Sequence, residues 1–151
     1  MTEFLETTYD KFIFRVKEGN FYSRDEFWAD IRDSVATVGV TDFLQKASGD
    51  ITYLVMVEPG TTVRQGEGMG RMETIKAALD LVSPVSGRVI EVNPEMEASP
   101  HLINLDPYGK GWIYRIEVAD PEGAKLSLLS AADYFELMKQ KIQGEAEKLH
   151  G

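Results

Sequence analysis

The stretch GRMETIKAALDLVSPVSG, residues 70–87, places one lysine, Lys76, between two short apolar runs. Met69 to Glu73 and Ala78 to Val82 are each long enough for a short strand, and the Ser, Pro and Gly residues that follow would end the second one. The pattern therefore predicts a β-hairpin with Lys76 at its tip. Both immediate neighbours of the lysine are apolar, although Gly, Asn or Asp is common in an exposed turn. We therefore expect another molecule to contact this tip.

A wider pattern surrounds the lysine. Glu73 lies three residues before Lys76, and Gly87 lies eleven residues after it. The segments VATVGVTDFLQKASGDITYL, residues 35–54, and INLDPYGKGWIYRIE, residues 103–117, flank the hairpin. A lone E-x-x-K motif carries little information, but the occurrence of ETIKA, SPVSG and DPYGKGW in this order is specific to one family. Together these motifs resemble the lipoyl-carrying H protein of the glycine cleavage system.

The resemblance covers residues 21–138 and implies a mainly β (α+β) fold. In that family the chain forms a flattened lipoyl-type barrel-sandwich hybrid with quasi-twofold halves, short helices and a C-terminal helix. We accordingly expect residues 1–151 to form a single lipoyl-carrier domain. Its predicted parts are an N-terminal extension over residues 1–20, a barrel region over 21–128 and a helix over 130–148.

The resemblance also implies a function. Lys76 would carry covalent lipoate, and a lipoylating enzyme would recognise Glu73 and Gly87. The protein would then be a carrier and not an enzyme. Its lipoamide arm would shuttle an aminomethyl group and electrons among a PLP-dependent glycine decarboxylase, a folate-dependent aminomethyltransferase and dihydrolipoamide dehydrogenase.

Each recognition residue also has a structural interpretation. Glu73 could form only a solvated charge pair beside the lysine, as surface carboxylates commonly do. Gly87 could be required for a positive φ in the turn after Ser86. Neither interpretation excludes a role in recognition.

Two departures from the family pattern leave the identity of the partner enzymes open. The family usually has a histidine and a glutamate just before the tryptophan that corresponds to Trp28, whereas this chain has Asp25, Glu26 and Phe27. The first 20 residues are also additional. Two alternatives therefore remain: an H-like lipoate carrier of another pathway, such as heterodisulfide-reductase-like sulfur oxidation, and a binding module that is not lipoylated.

The composition argues against several other classes of function. The chain has 151 residues, 43% of them hydrophobic, which suits one compact domain. A formal charge of -9 argues against nucleic-acid binding, and the absence of cysteine excludes a disulfide framework or a thiolate metal site. His101 and His150 have no cluster of acidic residues at ligand spacing, so we expect no metal. With no apolar run that could cross a bilayer and no signal peptide, we expect a cytoplasmic protein without membrane contact.

Local patterns predict the other elements. Ser130 with Asp133 suggests a helix cap, and an apolar stripe follows along the C-terminal helix. Trp112, at the end of the DPYGKGW turn, is expected to anchor the core. The stripe consists of Phe135, Met138, Ile142, Ala146 and Leu149. Strands are predicted through Phe12, Phe14 and Val16 and over 34–40, 51–57 and 88–92, with a short strand or loop over 21–28. Thr41 can cap a helical turn with Gly49 just past its end, and another short helix is expected to start near Ser99.

Overall fold

The computed structural model describes residues 3–150, with side chains described as far as residue 144. The strands are β1 (Phe4–Tyr9), β2 (Phe12–Lys17), β3 (Phe21–Tyr22), β4 (Phe27–Arg32), β5 (Val35–Val40), β6 (Ile51–Met56), β7 (Thr62–Val63), β8 (Gly68–Thr74), β9 (Ala78–Val82), β10 (Gly87–Val92), β11 (Tyr114–Val118) and β12 (Leu129–Ser130). The helices are α1 (Asp42–Ser48), α2 (Leu102–Leu105), α3 (Pro121–Ser127) and α4 (Ala131–His150). The predicted mainly β fold with short helices and a C-terminal helix is confirmed.

Two sheets enclose the main core. One has seven strands in the order β12-β3-β4-β5-β11-β10-β7, and the other has three in the order β6-β8-β9. Buried apolar side chains from both sheets pack in one cluster, for example Val38 and Ile116 from the larger sheet with Leu54 and Met72 from the smaller. The result is a sandwich of open sheets, which are not closed into a barrel.

A second core lies beside Trp28. The β1–β2 hairpin contributes Phe14 and Val16, and α4 contributes Tyr134 and Met138. Trp28 is only 2% exposed, and its indole N–H donates to the Pro107 carbonyl oxygen at 3.0 Å. The N-terminal extension is therefore a paired hairpin that packs on the body of the protein.

Trp112 does not anchor the core, so that prediction is wrong. Its ring is only partly buried at the edge of the second cluster, and the Arg115 guanidinium lies 4.3 Å from its centroid. The buried tryptophan is Trp28, because β4 carries its ring under the Asp106–Trp112 turn, where Pro107 accepts its N–H.

Several elements differ from the sequence predictions. The pattern identified β2 but not its partner β1, and residues 21–28 contain β3 and the start of β4. Helix α3 was not predicted, although Asp120 accepts a hydrogen bond from the Gly123 N–H and Pro121 occupies its first turn, which is a standard helix start. The helix expected near Ser99 begins at Leu102.

Helix α4 carries the predicted apolar stripe. Ser130 Oγ accepts a hydrogen bond from the Asp133 N–H at 3.2 Å, as predicted, and Met138 and Ile142 are buried. The side chains of Ala146 and Leu149 lie outside the described residues. Over the described part of the chain, no helix combines the length and the apolar character needed to span a membrane.

Buried tyrosines hold the packed elements together. Tyr114 of β11 donates its hydroxyl proton to the Met69 carbonyl oxygen at 2.6 Å and accepts from the Val57 N–H at 2.9 Å, which joins the two sheets. Burial raises the pKa of Tyr114 to about 12 from its usual 10.0. Burial also raises the pKa of Tyr22, Tyr108 and Tyr134.

These shifts predict loss of stability at alkaline pH. A phenol whose pKa is higher in the folded state contributes its stabilisation below the unfolded pKa and loses it as the pH rises through the folded value. For Tyr114 the window runs from 10.0 to about 12. We expect the free energy of unfolding in urea to fall across this range, and to fall less steeply in Tyr114→Phe. Exposed Tyr53→Phe is the control; a flat profile above pH 10 would contradict the interpretation.

Candidate functional site

The predicted hairpin is present, with Lys76 at its tip. β8 and β9 pair antiparallel, with Met72 opposite Leu79 and Glu73 opposite Ala78. The Thr74 N–H donates to the Ala77 carbonyl oxygen at 2.8 Å, so Ile75 and Lys76 form the connecting turn. Both are exposed, and Ile75 has 67% of its surface accessible.

The Thr74 side chain closes this turn. Its hydroxyl accepts hydrogen bonds from the N–H groups of Lys76 and Ala77, both at 3.1 Å, and donates to the Ala77 carbonyl oxygen at 3.2 Å. Neither Ile75 nor Lys76 has a positive φ. The usual tight hairpin turns require positive φ and hence favour Gly, Asn or Asp. A turn closed by a threonine hydroxyl has no such requirement, which explains the residues at the tip.

The end of α1 supports the tip from one side. The Ile75 N–H donates to the Asp50 carbonyl oxygen at 3.2 Å, and the Lys76 ammonium donates to the Ala47 carbonyl oxygen at 3.2 Å. Carbonyl groups in the last turn of a helix carry partial negative charge, which favours a cation there. A Cβ on Gly49 would lie 3.3 Å from the Ile75 side chain, so the chain after α1 passes close to the tip.

Helix α1 itself follows the sequence signals. Thr41 caps it by accepting from the Leu44 N–H at 3.2 Å, and Gly49 ends it with φ +79°. Thr41 was predicted as this cap and Gly49 as the residue just past the helix end. Both predictions are confirmed.

Glu73 lies on β8, and its ionic partner is Arg71. The Arg71 guanidinium is 3.3 Å from the Glu73 carboxylate, and the Glu73 side chain is 41% exposed. Among the described residues, no ion pair joins Glu73 to Lys76. The suggested charge pair with the lysine is therefore wrong, because the strand directs Glu73 toward the residue two positions away on the same face.

Gly87 begins β10 in the larger sheet, opposite Val63 of β7 and Val118 of β11. Its φ lies outside the left-handed region, so the predicted need for a positive φ is wrong. A Cβ at this position would lie 2.0 Å from the Glu117 carbonyl oxygen. The residue must be glycine because the neighbouring backbone approaches it too closely for a side chain.

Comparisons with known proteins identify the family of the chain. Residues 20–141 match the family model described as the glycine cleavage H-protein. The chain belongs to this family.

The relatives cover most of the chain. A glycine cleavage system H protein of Carboxydothermus hydrogenoformans is 42% identical over 120 residues, which is 80% of this chain and 92% of the relative. A probable H protein of Aeropyrum pernix is 43% identical over 120 residues, or 80% and 83%. The crystal structure of an H protein from Mycobacterium marinum matches with a TM-score of 0.70 and 35% identity, covering 76% of this chain and 92% of that one.

Sequence patterns predicted Lys76 and Glu73 as site residues on the hairpin but missed the groups that shape its tip. Thr74 had a usable signal, since threonine hydroxyls often bond to the backbone of the next residues in a turn. The carbonyl groups of Ala47 and Asp50 had none, because only the folded chain brings α1 to the hairpin. Within the described residues, no group of three or more His, Cys, Asp or Glu side chains is placed to hold a metal ion.

Replacement of Gly87 by alanine should destabilise the fold whatever its role in recognition. Because the new methyl would meet the Glu117 carbonyl oxygen, we expect a loss of about 1–3 kcal/mol in the free energy of unfolding. Gly68→Ala is the matched control, since a Cβ there meets nothing within 4 Å. Urea unfolding of both variants measures the difference, and equal stability would disprove the close-contact explanation.

Proposed function

We propose that this protein is the lipoyl carrier of a glycine cleavage system, with lipoate joined to Lys76 through an amide. The observation that carries the proposal is the position of Lys76: an exposed lysine at the tip of a hydrogen-bonded hairpin in a chain of the H-protein family. Position is what a carrier must supply, because the chemistry belongs to the attached group and to the enzymes it visits.

The site fits an amide-linked group. Lys76 Nζ is at the surface, and its hydrogen-bond acceptor within the protein is the Ala47 carbonyl oxygen. Modification would form a bond between Nζ and the carboxyl carbon of an activated lipoyl group, with departure of the activating group and loss of the lysine charge. The amide would retain one N–H, which is enough to keep a hydrogen bond to Ala47.

Lipoate, when bound, supplies a cyclic disulfide that can take up two electrons and an aminomethyl group. The chain's own residues fix the origin of the arm: Thr74 closes the turn, and Asp50 holds the Ile75 N–H. A tethered group reaches an effective concentration on the order of millimolar at a partner's active site without tight docking. The protein would thus act as a carrier and not as an enzyme.

The proposed partners are those of the family. They are a lipoylating enzyme, a PLP-dependent glycine decarboxylase, a folate-dependent aminomethyltransferase and dihydrolipoamide dehydrogenase. The 25 acidic against 16 basic residues favour protein partners with basic surfaces over nucleic acid.

We also propose that the lipoylating enzyme recognises Glu73 and Gly87. The Glu73 side chain is 41% exposed next to the hairpin tip, so an approaching enzyme can reach it. Gly87 lies in the other sheet, where it allows the close strand spacing that its position requires. Gly87 would therefore contribute to modification indirectly, by allowing the strand packing that gives the sandwich its shape.

A second candidate is an H-like lipoate carrier of another pathway, such as heterodisulfide-reductase-like sulfur oxidation. The observation that favours it is the β1–β2 hairpin, which precedes the segment matched by the family model. Glycine-dependent reduction of the arm by a decarboxylase separates the two candidates. Intact mass of protein purified from its native host tests both, since an unmodified Lys76 in cells that lipoylate other carriers would support a non-lipoylated binding module.

Substitution Lys76→Arg should abolish modification and leave the fold intact, because the side chain is exposed and arginine keeps a cation near Ala47. Intact mass after incubation with a lipoylating enzyme should show the lipoyl increment in the wild type alone. Exposed Lys110→Arg is the matched control and should be modified normally. A lipoyl increment on Lys76→Arg would place the attachment elsewhere.

Substitution Glu73→Gln should slow lipoylation while changing stability by less than about 0.5 kcal/mol, the usual range for surface positions. Arg71→Gln provides the control, because it breaks the same ion pair and keeps the carboxylate. Initial rates of modification compare the two. Equal slowing in both would assign the effect to the ion pair, whereas an unchanged rate in Glu73→Gln would remove its recognition role.

A further inference from the structure

We propose that Thr74 is a positioning residue for the modification of Lys76: its hydroxyl holds the tip in the conformation that the lipoylating enzyme binds. This inference rests on the proposed function. It concerns a residue that does not touch the reacting atom, since the hydroxyl bonds to the backbone of the turn and not to Lys76 Nζ.

The Thr74 hydroxyl is fully used inside the turn. A hydroxyl has one proton to donate and two lone pairs that accept. Here the proton goes to the Ala77 carbonyl oxygen at 3.2 Å, and the lone pairs accept from the Lys76 and Ala77 N–H groups at 3.1 Å. One side chain therefore bonds to three backbone groups, one in the two-residue turn and two on Ala77 beside it.

The residues of the turn cannot replace these bonds by themselves. Ile75 is β-branched, and neither it nor Lys76 adopts the positive φ of the turns that close a two-residue hairpin through the backbone alone. Loss of the hydroxyl leaves the bond from the Ile75 N–H to the Asp50 carbonyl oxygen and the Thr74–Ala77 backbone bond. The hairpin should therefore persist while its tip samples more conformations.

An ordered tip matters because it presents the Ile75 and Lys76 side chains together to the lipoylating enzyme. Ile75 is 67% exposed beside the lysine, so an enzyme that binds this tip meets an apolar side chain and an amine in a fixed relation. A mobile tip would have to be ordered on binding, which costs affinity, and would place Nζ less often within reach of the activated acyl group, which costs rate.

The test compares Thr74→Val, which has nearly the same shape without the hydroxyl, with Thr74→Ser, which keeps the hydroxyl. Thr61→Val is the matched control, because it removes another turn hydroxyl, bonded to the Glu58 carbonyl oxygen at 2.6 Å, outside the hairpin. Thr74→Ala is a second variant in case valine disturbs the strand. Backbone amide exchange and thermal unfolding are measured beside the kinetics of lipoylation by mass.

We expect Thr74→Val and Thr74→Ala to lower kcat/KM of lipoylation about tenfold, a factor that corresponds to the net strength of about one of the three hydrogen bonds that the hydroxyl makes. Exchange of the Lys76 and Ala77 amides should accelerate in the same variants while the melting temperature changes little. Thr74→Ser should restore both properties, and Thr61→Val should resemble the wild type.

The outcomes separate this inference from the proposed function. A wild-type protein that the lipoylating enzyme does not modify would overturn the proposed function and this inference with it. A modified wild type alongside equally fast modification of Thr74→Val would overturn only the role of Thr74. Accelerated amide exchange without any loss of kcat/KM would also overturn the role of Thr74. The hydroxyl would then order the turn, but that order would not affect recognition by the enzyme.

Discussion

The structure depends on the close approach of two sheets, and the Tyr114 hydroxyl marks the point where they meet. It bonds to the Met69 carbonyl oxygen in the smaller sheet and to the Val57 N–H that follows β6. Gly70 allows this contact, since a Cβ there would lie 2.3 Å from the Val55 carbonyl oxygen and 3.1 Å from the Tyr114 hydroxyl. Because β8 is held in this way, the hairpin that continues from it has a fixed base.

Helix α1 links the second core to the tip of the hairpin. Its cap, Thr41, donates its hydroxyl proton to the buried Glu26 carboxylate at 2.9 Å, and Tyr134 and Lys141 of α4 donate to the same carboxylate. Glu26 is one of the few described residues other than glycine with a positive φ, +76°. The other end of α1 supplies the Ala47 carbonyl oxygen to Lys76. The contacts of Glu26 therefore affect how the helix beside the lysine is held.

Local patterns predicted the parts of this protein that depend on neighbours in the chain. The hairpin around Lys76, the Thr41 cap, the Gly49 helix end and the Ser130 cap all use bonds between residues a few positions apart. Trp112 and Gly87 were misread because their environments come from distant strands. A turn glycine and a strand glycine look alike in sequence, and only the Glu117 carbonyl oxygen distinguishes them.

The sequence by itself determined the family, the mainly β class and the single lysine set in a turn, because motif order and short-range periodicity are properties of the chain alone. Only the tertiary structure decided that Ala47 and Asp50 support the tip and that Trp28 is the buried indole. The physical reason is that hydrogen-bond partners and burial are set by which elements pack together. That choice depends on the whole core and leaves no local signal.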